Sequence, residues 1–116
     1  MKDIELLELA ARAAGFIELR FDPDGRVRAR KSSGVAEAWD PLVDDGDALR
    51  LAVRLQLTVC NEHVTAGVTY CVGALGDITY PEVRSGNSEA DVVPDDYAAT
   101  RRAIVLAAAE IGKAMK

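Results

Sequence analysis

Trp39-Asp40-Pro41-Leu42-Val43-Asp44-Asp45-Gly46-Asp47-Ala48-Leu49-Arg50 decides how the chain is read. Pro41 lacks a backbone donor and biases Asp40 toward an extended conformation, so no helix runs through this point. Asp44 is placed to cap a new helix, and Asp47, three residues on, to reach back toward that cap. Carboxylates at 44, 45 and 47 also suit the positive end of the helix dipole. Ala48, Leu51, Ala52 and Leu55 then recur at helical spacing with Leu49 and Val53 beside them. Arg50 and Arg54 form a narrow polar stripe, so the helix is expected to be covered on most sides.

Upstream, a first helix is predicted over Asp3 to Ala14, with Ile4, Leu7, Ala11 and Ala14 on one face and Leu6 and Ala10 beside it. Gly15 stops it. Phe16–Phe21 and Arg26–Arg30 alternate in polarity and flank Asp22-Pro23-Asp24-Gly25. Pro fits the first central position of a type I turn, and Gly the left-handed bulge position that follows. That loop sets Asp22 opposite Arg26, Phe21 opposite Val27, Leu19 opposite Ala29 and Glu18 opposite Arg30. Hydrophobic pattern and turn chemistry select the same register. The outward face becomes a basic ribbon of Arg20, Arg26, Arg28, Arg30 and Lys31, interrupted by Glu18 and Asp22.

Downstream, Leu57–Cys60 and Gly67–Val72 are predicted as a second hairpin turning at Asn61-Glu62-His63, with Asp77–Tyr80 as a short edge strand. Residues 81–96 carry five acidic groups and two prolines and are expected to form a mobile surface loop. Asp95 or Asp96 is expected to cap a last helix with Tyr97, Arg101, Ile104, Ala108, Ile111 and Met115 on one stripe. Ala103, Ala107, Ala108 and Ala109 permit close packing, and Lys113 and Lys116 suit the negative end of the dipole.

Taken together the elements give one α+β domain spanning residues 1–116 in the order α-β-β-α-β-β-α. Two antiparallel hairpins would form a sheet of four or five strands, packed with three helices. A chain of 116 residues is long enough to bury a core without staples. Its 49% hydrophobic and 28% charged residues argue against global disorder. Aromatics make up only 5%, so the core is expected to be built from Ala, Val, Leu and Ile. A formal net charge of -5 disfavours indiscriminate binding to nucleic acid or anionic membrane. No membrane span and no signal peptide are recognisable, so a cytoplasmic location in a bacterial host is expected.

The stretch W-D-P-L-V-D-D-G-D-A-L-R-L, followed later by A-T-R-R-A-I-V-L-A-A-A-E, resembles small tailed-phage and prophage proteins grouped as NinX-like or as a phage α-β-α sandwich domain. The two motifs cover about a quarter of the chain. The resemblance implies an α+β domain, an α-β-α layering and a phage gene of unknown role. It carries over no catalytic residue. With no catalytic constellation in the chain, a non-enzymatic accessory protein that binds a host or phage protein is expected.

The candidate site residues divide into two groups. Trp39, Asp40, Asp44 and Asp45 are candidates for contacting a partner protein, against a reading in which the ring packs on the core and the carboxylates cap the helix. Arg20, Arg26, Arg28, Arg30 and Lys31 are the alternative, a nucleic-acid surface, against a solvent-facing strand with Glu18–Arg30 and Asp22–Arg26 pairs. Arg20 facing Arg28 requires an acidic neighbour. The Asp cluster does not fit a calcium loop, because Pro41, Val43 and Ala52 would occupy ligand positions, so no metal and no cofactor are expected. Cys60 and Cys71 are expected as thiols that face each other across the hairpin, and Cys60 with His63 lacks a third orienting group for catalysis. No enzyme motif is present. A second apolar stripe through Leu106 on the last helix predicts a homodimer, with that helix or the free face of the sheet as its interface.

Overall fold

The computed structural model describes residues 2–32, 34–62, 66–74, 76, 78–85 and 93–115. The elements are α1 (Asp3–Ala13), β1 (Glu18–Phe21), β2 (Val27–Arg30), β3 (Glu37–Ala38), α2 (Asp45–Arg54), β4 (Thr58–Glu62), β5 (Val68–Val72), β6 (Val83–Arg84) and α3 (Pro94–Ala114). The α+β class holds, but the single sheet does not. There are two three-stranded antiparallel sheets, ordered β1-β2-β3 and β4-β5-β6. Each hairpin recruits its third strand from the extended segment that follows it, so the free edges of β2 and β5 are occupied locally and the hairpins never join. Both added strands are only two residues long, too short for alternation to reveal them.

The first hairpin has the expected register at all four pairs from Glu18↔Arg30 to Phe21↔Val27. Asp22 N–H donates to the Arg26 carbonyl at 2.8 Å, and Gly25 takes the left-handed φ of 90° that the bulge position requires. In the second hairpin β4 runs on through Glu62, into the expected turn at Asn61-Glu62-His63, of which His63 lies outside the described residues. Cys60 pairs with Tyr70 and Cys71 with Val59, so the two thiols leave opposite faces and do not meet. The expected edge strand is reduced to a bridge between Val72 and Thr79, with Asp77 outside the described residues. Part of the expected mobile loop is ordered instead, as Val83–Arg84 pairs with Val68 and Thr69. Residues 86–92 and Lys116 lie outside the described residues.

The core is organised around α3. Its most extensive packing is with α1, and it also contacts α2 and all three strands of the second sheet. Ala103, Ala107 and Ala108 on α3 and Ala10 on α1 are fully buried, which lets the helices approach closely. A Cβ at Gly112 would run into the Leu9 carbonyl of α1, so the crossing needs a glycine there. The expected stripe on α3 is correct only in its middle. Ile104 and Ala108 are buried, whereas Tyr97 and Met115 at the two ends are exposed. Leu106, the reason for expecting a dimer, is half-buried against this chain's own core. Pro94 opens the helix, and Asp96 does not cap it from outside. Asp96 sits in the first turn and accepts from the Val93 N–H at 3.0 Å.

Candidate functional site

Asp44 caps α2 as expected, accepting from the Asp47 N–H at 2.8 Å. Asp47 reaches beyond the cap: one oxygen accepts from the Asp40 N–H at 2.9 Å and the other from Arg50 at 2.7 Å. Pro41 is fully buried, and Asp40 accepts from the Leu42 N–H at 3.2 Å. Burial pushes the Asp40 carboxyl up, and the nearby charges of Asp47, Asp3 and Asp44 push the same way. Arg101 of α3 then clamps the loop, donating to the Leu42 carbonyl at 2.9 Å and to Asp45 at 2.6 Å. Asp40, Asp44, Asp45 and Asp47 thus each have a protein partner, and among the described residues no three side chains converge as metal ligands.

α2 is not covered on most sides. Leu49 is 63% exposed and Val53 69%. They occupy an outer row, with Ala48 and Ala52 turned inward on one side and Arg50 and Arg54 on the other. On the Ala48 side lies a cleft of about 490 Å³ between α2, α3 and the second sheet. Ala48, Ala52, Val59 and Ile104 form its apolar wall, and Leu49 and Tyr97 stand exposed at its rim. The Asp45–Arg101 pair closes one part of the lining. Another part is a polar cluster in which Thr69 donates to Asn61 Oδ1 at 3.2 Å and Thr100 lies 2.7 Å from that same oxygen. Thr100 is also 2.9 Å from the Asp96 carbonyl, and its single hydroxyl proton serves one acceptor at a time. Thr69 is almost completely buried, so this cluster fixes β4 and β5 against α3.

Of the residues singled out from sequence, Asp45 lines this cleft, Asp44 is exposed at the cap, and Asp40 is half-buried behind them. Trp39 is buried, tilted at 57° to Phe16 with centroids 5.1 Å apart. It is a core residue with one edge on the opposite flank of α2, and it does not reach the cleft. Leu49, Tyr97, Asn61, Thr69 and Thr100 also line the cleft. No sequence signal marks Tyr97, Asn61, Thr69 or Thr100 as site residues, and the spacing of Leu49 four before Val53 reads equally well as a core stripe.

The basic ribbon carries its own counter-charges. Asp22 bridges Arg28 at 2.9 Å and Arg20 at 3.3 Å, which resolves the facing arginines; its carboxyl is held below the usual range chiefly by the Arg28 hydrogen bond. The expected Asp22–Arg26 pair is replaced by Arg26 with Asp24, while Arg30 pairs with Glu18 as expected at 3.1 Å. Lys31 stands apart from this face, its ammonium 5.7 Å from the Phe16 ring centroid. In the second hairpin, the Tyr70 hydroxyl donates to Glu62 at 2.9 Å, which pushes its pKa up to about 12. Burial pushes the Cys71 thiol up to about 11, so it stays protonated at neutral pH and is a poor nucleophile.

No protein-family model, curated protein or solved structure matches the chain. No helix of the described residues is long and apolar enough to cross a membrane.

Proposed function

We propose that the protein is a non-enzymatic accessory protein that binds a host or phage protein, inserting a partner's apolar side chain into the cleft between α2 and α3. The phage or prophage origin rests on the resemblance of the W-D-P and A-T-R-R-A stretches. The binding role rests on one observation: the apolar cleft opens beside exposed Leu49 and Tyr97. Large aliphatic and aromatic side chains at the rim of a concave site are what protein interfaces use as anchors and seals. Asp45, beside Arg101, supplies a charged edge that would fix orientation, while Asp40 and Asp44 act through the loop's shape.

Self-association has lost its original motive, because Leu106 packs within the chain. A homodimer would instead use the exposed row of Leu49 and Val53, and light scattering at tens of micromolar protein, an order of magnitude where stable dimers persist, separates it from a 12.4 kDa monomer. The nucleic-acid reading has no comparable support, since Asp22, Glu18 and Asp24 offset Arg20, Arg28, Arg30 and Arg26. The reading is tested by capture from a lysate of the host bacterium with tagged wild type, Leu49→Asp and Asp24→Ala. A partner held by wild type and Asp24→Ala but lost by Leu49→Asp supports it. Equal capture by all three overturns it.

A further inference from the structure

On the Arg50 side of α2 a second cavity, of about 270 Å³, lies between the helix and the first sheet. It has a different chemistry from the cleft. Phe16 and Trp39 form its apolar part, and Lys31, Arg50 and Arg54 bring three cations to its wall, against Glu37 and Asp47. Asp47 is committed to Arg50, through a 2.7 Å contact and its bond to the Asp40 N–H. Lys31 and Arg54 have no ion pair among the described residues. Lys31, Arg50 and Arg54 therefore outnumber Glu37 and Asp47 by one charge at a notch that is partly apolar, where an arriving anion is screened less than on an open surface.

We propose that this notch binds a small organic anion, a carboxylate or phosphate carried on a short aromatic or aliphatic body. Arg54 and Lys31 hold the oxyanion. Arg54 presents a planar fork that matches two anionic oxygens, and Lys31 adds a point charge. The body lies against Phe16 and the accessible edge of Trp39. The volume sets the size: it falls just under the roughly 300 Å³ at which drug-sized pockets begin, which excludes a large ligand. It also exceeds many times the roughly 30 Å³ of a single water, so a ring with one oxyanion group fits. The inference does not depend on the cleft or on any partner protein.

Trp39 is the only tryptophan, and it lines this notch, so its fluorescence is the signal followed. The experiment titrates the full chain at low ionic strength with benzoate, with phenyl phosphate and with inorganic phosphate. Saturable change with half-saturation on the order of 1 mM is expected for the better of the two ring-bearing anions, and weaker binding for inorganic phosphate. Benzoate ahead of phenyl phosphate identifies a carboxylate site, and the reverse a phosphate site. Arg54→Gln and Lys31→Gln should each weaken binding by about tenfold, the loss expected for a hydrogen bond to a charged group. Glu37→Gln, at an exposed wall position, should tighten it and tests the same charge balance without removing a cation. The proposal fails if neither ring-bearing anion gives a saturable change in wild type, or if the response is the same in Arg54→Gln, Lys31→Gln and Glu37→Gln.

Discussion

The two flanks of α2 share one helix and differ in almost everything else. Toward α3 the helix offers Ala48, Ala52 and Leu49 to an apolar cleft with a threonine–asparagine cluster in its lining. Toward the first sheet it offers Arg50 and Arg54 to a notch lined by Phe16 and Trp39. The difference comes from helical geometry, since residues one position apart are turned about 100° and face separate surroundings. It also separates two uses of large apolar side chains. Trp39 is buried and holds the fold, whereas Leu49 is exposed, contributes little to the fold and is available to a partner.

That contrast gives the largest expected effect. Trp39→Ala should destabilise the protein by about 3 kcal/mol or more, as truncation of buried aromatics does. Urea unfolding followed by far-UV circular dichroism measures it, and an unchanged midpoint would mean that Trp39 is not a core residue. Asp47→Ala comes next, at about 1–3 kcal/mol, because it leaves the half-buried Asp40 N–H without its acceptor and removes the Arg50 contact. Thr69→Val should cost about 1 kcal/mol by removing one bond from the buried cluster on the cleft side. Leu49→Asp should change stability by no more than about 0.5 kcal/mol, the usual range for surface positions. A larger loss would place Leu49 with Trp39 and dissolve the distinction between the flanks.

The smallest effect is a pH dependence. Asp40 has a folded pKa raised above its ordinary 3.8, mainly by desolvation. Its contribution therefore favours the fold below the unfolded pKa and is lost as pH rises through the raised value. Asp40→Asn keeps an acceptor for the Leu42 N–H and removes the charge, so it should raise the melting temperature at pH 7 and make little difference near pH 3. A melting temperature lowered at pH 7 would contradict the assigned cause.

Much of this architecture is legible in the sequence. The Asp22–Gly25 turn and the alternating flanks determine the first hairpin's register, because loop length and side-chain parity must agree. The Asp44 cap and the break at Pro41 are equally local. The sheet arrangement is not legible, since β3 and β6 are two-residue pieces whose pairing depends on where the chain returns. The cleft is hidden for a related reason. Leu49 and Val53 have the spacing of a buried stripe, and only the placement of α3 decides that Ala48 and Ala52 turn inward while they stay outside. The notch joins Lys31, Phe16 and Arg54, which no motif links in sequence.

Seating of a partner protein at the cleft beside Leu49 is tested most directly with a photo-crosslinking amino acid at position 49 and a control at Asp24 on the exposed hairpin tip, irradiated in lysate of the proposed bacterial host. A discrete crosslinked product from position 49, absent from position 24 and absent when Tyr97 at the same rim is changed to Asp, is the predicted result. A product pattern that is the same from both positions would contradict it.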